Sequence, residues 1–209
     1  KGKEYNYNGN LIFEGEYLNE KKWNGKLKEY NYEGEFKFEY EYFNGQWNNK
    51  GKEYKNGKLI FEGEYLNRKK WNGKLKEYNY KGELKFEYEY FNGQWNNKGK
   101  EYENGKLIFE GEYLNGKKWN GKLKIYKYKL LIFDGEYLNG KKSGKGKEYN
   151  HYSKIKYEGK YCDGKRNGKA KEFFDNGELK YEGAYLNGKK WNGKGYNYKS
   201  YMVFEIKDG

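Results

Sequence analysis

The residues that most often carry out catalysis are scarce in this chain. It contains one histidine, His151, one cysteine, Cys162, and three serines. A histidine base beside a cysteine nucleophile would form a catalytic pair, but such a site also needs groups that orient the base and stabilise the transition state. The sequence leaves those roles unfilled, so we expect both residues to occupy ordinary turn or strand positions. We therefore predict that the chain is not an enzyme.

Carboxylates are numerous but evenly spaced, as in the pairs Glu14/Glu16 and Glu62/Glu64. A hydrolase built on two carboxylates needs one pair whose surroundings differ from the rest. A calcium loop concentrates its oxygen ligands in a single turn, which this spacing does not do. One cysteine is too few for a disulfide framework or a cysteine-based zinc site. We predict no catalytic residues, no metal site and no cofactor.

The formal net charge of +13 comes almost entirely from lysine, since only two arginines, Arg68 and Arg166, are present. A basic sheet that also carries Trp and Tyr could bind single-stranded nucleic acid by stacking and phosphate contacts. The lysines are spread along the whole chain, however, instead of forming one basic stripe. Nucleic acid is therefore an unlikely partner.

The elements that must position these residues are copies of one short unit. The phrase aromatic-Glu-Gly-Glu-Tyr or a close variant recurs in steps of 23 to 25 residues. Its copies start at Phe13, Phe38, Phe61, Phe86, Phe109, Phe133, Tyr157, Tyr181 and Phe204. A period of this size indicates a repeat array. We interpret residues 1–209 as one continuous array of about eight repeats with partial units at both ends, cut from a longer array whose caps are missing.

A longer repeat of 48 residues lies over the first half of the chain. Residues 11–54 and 59–102 differ at only three of 44 positions, Glu20/Arg68, Glu33/Lys81 and Phe36/Leu84. This super-repeat, strongest over residues 11–102, indicates duplication with little divergence.

The composition predicts an all-β structure. Only 34% of the residues are hydrophobic and 36% are charged, while 22% are aromatic, so apolar burial must come from rings in a thin structure. Thirty glycines and frequent Asn-Gly pairs interrupt any helical period, and we predict no helix.

Each unit predicts two short strands. In residues 13–17, Phe, Gly and Tyr alternate with Glu, which is the pattern of a half-exposed strand, and residues 26–32 form the second strand. Asn-Gly pairs at 8–9, 56–57, 104–105 and 176–177 predict tight hairpin turns. Residues 19–25 and 115–121 are predicted to be longer basic loops. The fold class is thus an elongated single-layer antiparallel meander of stacked β-hairpins, with neutralising Glu and Lys on one face.

Rings should cover the strand glycines, because glycine weakens a strand unless something packs over it. We expect rings of adjacent units to stack across these positions. Tyr40 and Tyr88 replace the glycine in two units, which should pack differently or expose more aromatic surface.

The pattern resembles the MORN repeat family, whose units carry Tyr-x-Gly-x-aromatic followed by Gly-x-Gly. Residues 13–17, 61–65, 109–113, 157–161 and 181–185 carry the first half, and residues 144–146 and 193–195 keep the second. Elsewhere the second glycine is replaced, for example by Leu27 or Ala170, and the usual Trp is Tyr. The resemblance covers nearly the whole chain and implies a rod of hairpins that serves as a scaffold or adaptor, often near membranes or the cytoskeleton, without catalytic activity.

The aromatic rings predict a surface for a protein segment, because such rings can anchor a peptide in a groove. The alternative is that the rings pack only against one another. The residues we select for partner contact are Tyr40, Phe61, Tyr65, Tyr88, Phe109 and Tyr113. Exposed strand edges could also lead to self-association.

The recurring Lys-Lys-Trp segments predict a second surface, which could bind anionic lipid headgroups. The alternative is that these loops are merely solvated, with Trp folded back over the hairpin. The predicted lipid contacts are Lys21, Lys22, Trp23, Lys69, Lys70, Trp71, Lys117, Lys118, Trp119, Lys189, Lys190 and Trp191.

The sequence therefore favours a noncatalytic repeat scaffold that binds a protein segment or assembles with itself. A peripheral membrane tether and a structural filament subunit are the two alternatives. No apolar run is long enough to cross a bilayer, and we expect an intracellular protein in the cytoplasm or at the cytoplasmic face of a membrane or the cytoskeleton.

Overall fold

The computed structural model describes residues 1–207, which contain eighteen β-strands and no helix. They belong to two compact units, Lys1–Lys98 and Gly99–Gly209. The first unit contains β1 (Gly2–Tyr5), β2 (Leu11–Leu18), β3 (Lys21–Tyr30), β4 (Phe36–Phe43), β5 (Gln46–Lys55), β6 (Lys58–Leu66), β7 (Lys69–Tyr78), β8 (Leu84–Phe91) and the start of β9 (Gln94–Glu103). No helix in the described part of the chain is long and apolar enough to cross a membrane.

The second unit contains the rest of β9 and nine further strands. These are β10 (Lys106–Leu114), β11 (Lys117–Lys127), β12 (Leu130–Leu138), β13 (Lys141–Tyr149), β14 (Ile155–Cys162), β15 (Lys165–Phe173), β16 (Leu179–Leu186), β17 (Lys189–Tyr196) and β18 (Met202–Ile206).

Consecutive strands pair antiparallel, from β1 to β8 in the first unit and from β10 to β18 in the second. The prediction of an all-β antiparallel meander of hairpins is thus confirmed. Each repeat packs on its sequence neighbours, as expected for a chain of hairpins.

Alternation divides the sheet into two faces. The aromatic face carries the first ring of most repeats, and these rings are at most 1% exposed. They are Phe13, Phe61, Phe109, Phe133, Tyr157 and Tyr181. The polar face carries ion pairs between neighbouring strands, for example Lys52 with Glu62 at 3.1 Å and Lys171 with Glu182 at 3.0 Å. The predicted neutralisation of one face by Glu and Lys is confirmed.

Glycines allow neighbouring strands and their rings to lie very close. Gly63 of β6 pairs with Gly73 of β7, and a Cβ atom on Gly63 would lie 2.6 Å from the Gly73 Cα and overlap the Asn72 carbonyl oxygen. A Cβ on Gly73 would lie 2.9 Å from the Phe61 ring. The ring over this glycine pair comes from β6 itself, two residues before Gly63. Rings of adjacent strands cover other glycines, as Tyr65 does at Gly51.

The Lys-Lys-Trp segments lie in strands, so their prediction as loops was wrong. Two-residue turns with positive φ at both residues, such as Asn19–Glu20 and Asn115–Gly116, reverse the chain immediately before them. Lys21 and Lys22 consequently pair with Leu18 and Tyr17 across the hairpin. The register between β2 and β3 shifts next to this pair, which accommodates one extra residue in β3. The aromatic side chains therefore stay on one face of the sheet.

Two of the four Asn-Gly turns are as predicted. Asn56–Gly57 and Asn104–Gly105 are two-residue turns with positive φ at both positions. The other two pairs lie in longer loops, residues 6–10 and 174–178. In the first loop the Asn6 carboxamide accepts from the backbone N–H of Asn8 at 3.1 Å and of Asn10 at 2.9 Å. That side chain closes the loop, so a two-residue turn is not needed.

Candidate binding site on the aromatic face

A carboxylate, a cation and a tyrosine join each of several repeats to the repeat before it. Glu4 of β1 accepts from the Lys22 Nζ of β3 at 2.8 Å and from the Tyr17 hydroxyl of β2 at 2.7 Å. Lys22 Nζ also lies 5.2 Å from the centre of the Phe13 ring, within cation–π range. We call this arrangement the charge clamp. Its cation lies between a carboxylate and a buried ring.

Three further clamps have the same ion pair and cation–π contact. Lys70, Lys118 and Lys190 contact Glu53, Glu101 and Glu172 at 2.8, 3.0 and 3.0 Å. These lysines lie over Phe61, Phe109 and Tyr181 at 5.3, 5.7 and 4.5 Å from the ring centres.

In the next clamp the cation is Arg166 of β15. It pairs with Glu148 of β13 and with Glu172 of its own strand, at 2.6 Å each. Glu148 also accepts from the Tyr161 hydroxyl at 2.6 Å. Burial acts to raise the pKa of Glu148, but the hydrogen bonds from Arg166 and Tyr161 outweigh it and lower that pKa. The carboxylate is therefore held in its charged form.

The repeat of β4 and β5 departs from this arrangement, as does its duplicate with Tyr88 and Trp95. Trp47 of β5 pairs with Tyr42 of β4, which is the position of Lys22 opposite Tyr17 in β2 and β3. Tyr40 replaces the strand glycine, lies parallel to Phe38 with ring centres 5.6 Å apart, and meets Trp47 edge-on at 5.5 Å. Tryptophan thus occupies the place of the clamp cation.

A hollow of about 650 Å³ lies over this repeat. Its lining comprises Leu27, Glu29, Phe38, Tyr40, Tyr42, Trp47, Glu53, Tyr65, Arg68 and Lys70. Five of these residues are aromatic and four are charged. The volume suits one side chain or a short extended segment.

Tyr40 and Tyr65 are the predicted partner-contact residues that the structure brings to this hollow. The Tyr40 hydroxyl donates to Glu29 at 3.1 Å. Burial and then the Glu29 carboxylate raise the pKa of Tyr40, so the hydroxyl keeps its proton. Tyr88 of the duplicated repeat has the same ring arrangement, parallel to Phe86 at 5.4 Å and edge-on to Trp95 at 5.3 Å.

Phe61 and Phe109 lie in the core, which contradicts their selection as contact residues. Phe61 is 0% exposed and Phe109 is 1% exposed, because a lysine of the clamp covers each ring and the strand glycines let the ring lie against the backbone. Tyr113 is also buried and donates to Glu101 at 3.2 Å. Regular repeats therefore use their rings for packing.

The predicted lipid contacts do not form a ladder of loop tips. Lys22, Lys70, Lys118 and Lys190 turn inward as clamp cations, while Lys21, Lys69, Lys117 and Lys189 are exposed. Trp23 and Trp71 pack against the backbone at Gly45 and Gly93 of the next hairpin turn. Trp119 lies beside Gly140, and Trp191 is 37% exposed. Sequence spacing alone could not separate the inward from the outward lysines.

His151 and Cys162 lie apart. His151 belongs to the loop before β14 and contacts the Tyr152 ring at 3.9 Å, whereas Cys162 is the last residue of β14. Eight strand residues separate these ends by roughly 25 Å, so the two cannot act as a base and nucleophile pair.

Several exposed tyrosines in the loops between strands were not predicted from the sequence. Tyr7 and Tyr80 lie at loop tips and are 92% and 93% exposed, and Tyr32 has the same place in its loop. The sequence signal for them is the recurring Asn-Tyr pair that follows the second strand of a unit.

A broad groove of about 990 Å³ on the polar face of the second unit was also not predicted. Its lining includes the ion-paired Lys147 and Glu158.

No protein-family model matches this chain, and a search of curated proteins finds no significant match. The resemblance to MORN repeats therefore stays a prediction from the residues. The aromatic hollow over β4 and β5, which replaces a charge clamp, is the basis for the proposed function.

Proposed function

We propose that this chain is a noncatalytic, MORN-like repeat scaffold that binds an extended protein segment at the hollow formed by β3 to β7. The observation that carries the proposal is the local exchange of a packed clamp for an open aromatic site. In a regular repeat, lysine and glycine leave the ring fully covered. In this repeat, Tyr40 and Trp47 keep rings at the walls of an open space.

The chemistry of the lining also favours a protein segment. Aromatic side chains with an arginine nearby are typical of the residues that dominate binding energy in protein interfaces. Carboxylate and hydroxyl groups at Glu29 and Tyr40 can bind polar groups of an extended backbone or its side chains. The regular clamps on either side supply a rigid frame for this site.

A peptide-library selection tests the proposal. The full chain and its Trp47→Lys variant are each used to select from a library of displayed extended peptides. Lysine is chosen because Lys22 and Lys70 occupy the matching position in the neighbouring repeats, so the variant should fold while it restores the clamp cation and removes one aromatic wall of the hollow. We expect peptides that bind the unmodified chain and lose binding to Trp47→Lys.

Glu16→Gln, on the polar face beside Asn24, is the control and should select the same peptides as the unmodified chain. Circular dichroism of each variant checks the fold. Selection of no peptide, or of peptides that bind Trp47→Lys equally well, would contradict a segment-binding role for this hollow.

A further inference from the structure

The clamps show what occupies the space between ring and carboxylate in this fold. In β2 and β3, the ammonium group of Lys22 lies 2.8 Å from Glu4 and 5.2 Å from the Phe13 ring. Lys70 has the same relation to Glu53 and Phe61, at 2.8 and 5.3 Å. The recurring occupant is thus a lysine side chain that gains an ion pair and a cation–π contact together.

The repeat with the hollow keeps the carboxylate and the rings but lacks this lysine. Glu29 lies opposite Phe38 in the same register in which Glu4 lies opposite Phe13. Trp47 stands where the lysine would be, so no cation from its own hairpin reaches Glu29. Glu29 is exposed and accepts from the Tyr40 hydroxyl at 3.1 Å.

The two cations that line the hollow do not complete the site. Lys70 is committed to Glu53 at 2.8 Å. Arg68 lies in a hairpin turn with φ of 63°, is exposed, and forms no ion pair among residues 1–207. Arg68 is part of the lining of the hollow and contributes positive charge there. Glu29 therefore stays available to an ammonium group that enters from outside.

We propose that the hollow binds a lysine side chain of the bound protein segment, which completes the missing clamp. The ammonium group would pair with Glu29, and its methylene groups would lie against the rings of Tyr40 and Trp47. This inference rests on the proposed segment-binding function and specifies the side chain that the site selects. Arg68 would also limit the site to one bound cation, because its own positive charge in the lining repels a second one.

The test titrates the full chain with N-acetyl-lysine methylamide and, separately, with its neutral analogue N-acetyl-norleucine methylamide. NMR shifts of the Trp47 indole and the Tyr40 ring report binding. We expect saturable shifts with the lysine compound and about tenfold weaker binding of the norleucine compound, because the analogue lacks the cation. Equal binding of both compounds, or no shift at either ring, would overturn the proposal.

Four variants sharpen the result. Glu29→Gln keeps an acceptor for Tyr40 but removes the charge, and should weaken lysine binding about tenfold. Arg68→Gly, which introduces the residue found at most matching turns, should strengthen it severalfold. Trp47→Lys should abolish binding at the Tyr40 ring, and Glu16→Gln should leave it unchanged. Unaltered binding in Glu29→Gln would overturn the lysine assignment.

The library selection separates this inference from the proposed function. Selected peptides that depend on the hollow but lack enrichment of lysine would refute the lysine inference and keep the scaffold function. Saturable binding of the lysine compound without any selected peptide would refute segment binding while the cation site stands.

Discussion

At the scale of residues, the charge clamp explains how a chain with so little aliphatic content holds its repeats together. In the clamp of Glu4, Lys22 and the Tyr17 hydroxyl both contact a half-buried carboxylate, and Lys22 in turn covers the Phe13 ring. Leaving one partner of a clamp unpaired lowers the free energy of unfolding by more than an exposed ion pair contributes to it. The clamp residues should therefore dominate the response to single substitutions.

One clamp lacks its carboxylate. Ile125 of β11 lies opposite Phe133, in the register where other repeats have Glu, while Lys142 of β13 lies 3.8 Å from the centre of that ring. Burial lowers the pKa of Lys142, which is consistent with a cation that keeps its ring contact but has lost its ion-pair partner. The sequence records this change as a single Glu-to-Ile difference.

The clamp predicts a specific loss of stability in acid. The pKa values of Glu148 and Glu172 are lowered in the folded chain, so their contribution is present above the pKa of an unfolded carboxylate and is lost as the pH falls through the folded values. We expect the free energy of unfolding, measured with urea, to fall from about pH 5 downwards. Glu148→Gln should lower it by about 1–3 kcal/mol at neutral pH and flatten the acid dependence.

Glu158→Gln is the matched control on the polar face, where Glu158 meets Lys147 at 3.0 Å with both side chains nearly half exposed. Its cost should be at most about 1 kcal/mol. Equal effects of the two substitutions would show that the clamp adds nothing beyond a surface ion pair.

At the scale of elements, close glycine pairs and two-residue turns decide how each hairpin is built. Gly63 and Gly73 let the backbones of β6 and β7 approach closely beneath the Phe61 ring. The turn at Asn67–Arg68 then places Lys70 opposite Tyr65, in the clamp position. The strand glycines are thus part of the packing.

Gly63→Ala should be markedly destabilising for this reason. The new methyl group would meet backbone atoms of Asn72 and Gly73, which cannot rotate away, and we expect a cost of about 1–3 kcal/mol in the free energy of unfolding. Gly51→Ala in the adjacent β5 is the control, because its nearest contact, the Glu39 carbonyl oxygen, is 3.0 Å away. A larger effect at Gly51 would argue against close backbone approach as the cause.

At the scale of the whole molecule, the strands in substantial contact within residues 1–207 are consecutive in the chain. The stability of such a chain is the sum of contributions from each repeat and from its interfaces with neighbouring repeats. The effect of one substitution should therefore stay local. The net charge of +13 adds repulsion that the paired polar face offsets in part.

Hydrogen exchange of a Gly183→Ala variant measures this locality. A Cβ on Gly183 of β16 would lie 2.5 Å from the Gly193 Cα of β17, so these strands should lose protection together with their neighbours β15 and β18. We expect protection in β2 to β7 to stay unchanged. A uniform loss along the chain would indicate one cooperative unit instead.

The sequence by itself determined the strands and their two faces, because alternation of Phe, Gly and Tyr with Glu is a local property that each copy of the repeat carries. It also marked Tyr40 and Tyr88 as departures from the pattern. Only the tertiary structure decided that Lys-Lys-Trp belongs to strands, that one lysine of each pair turns inward, and that Phe61 is covered while Tyr40 borders a hollow. These outcomes depend on turn geometry and register between strands, which join residues of different repeats, and spacing along one strand does not contain that information.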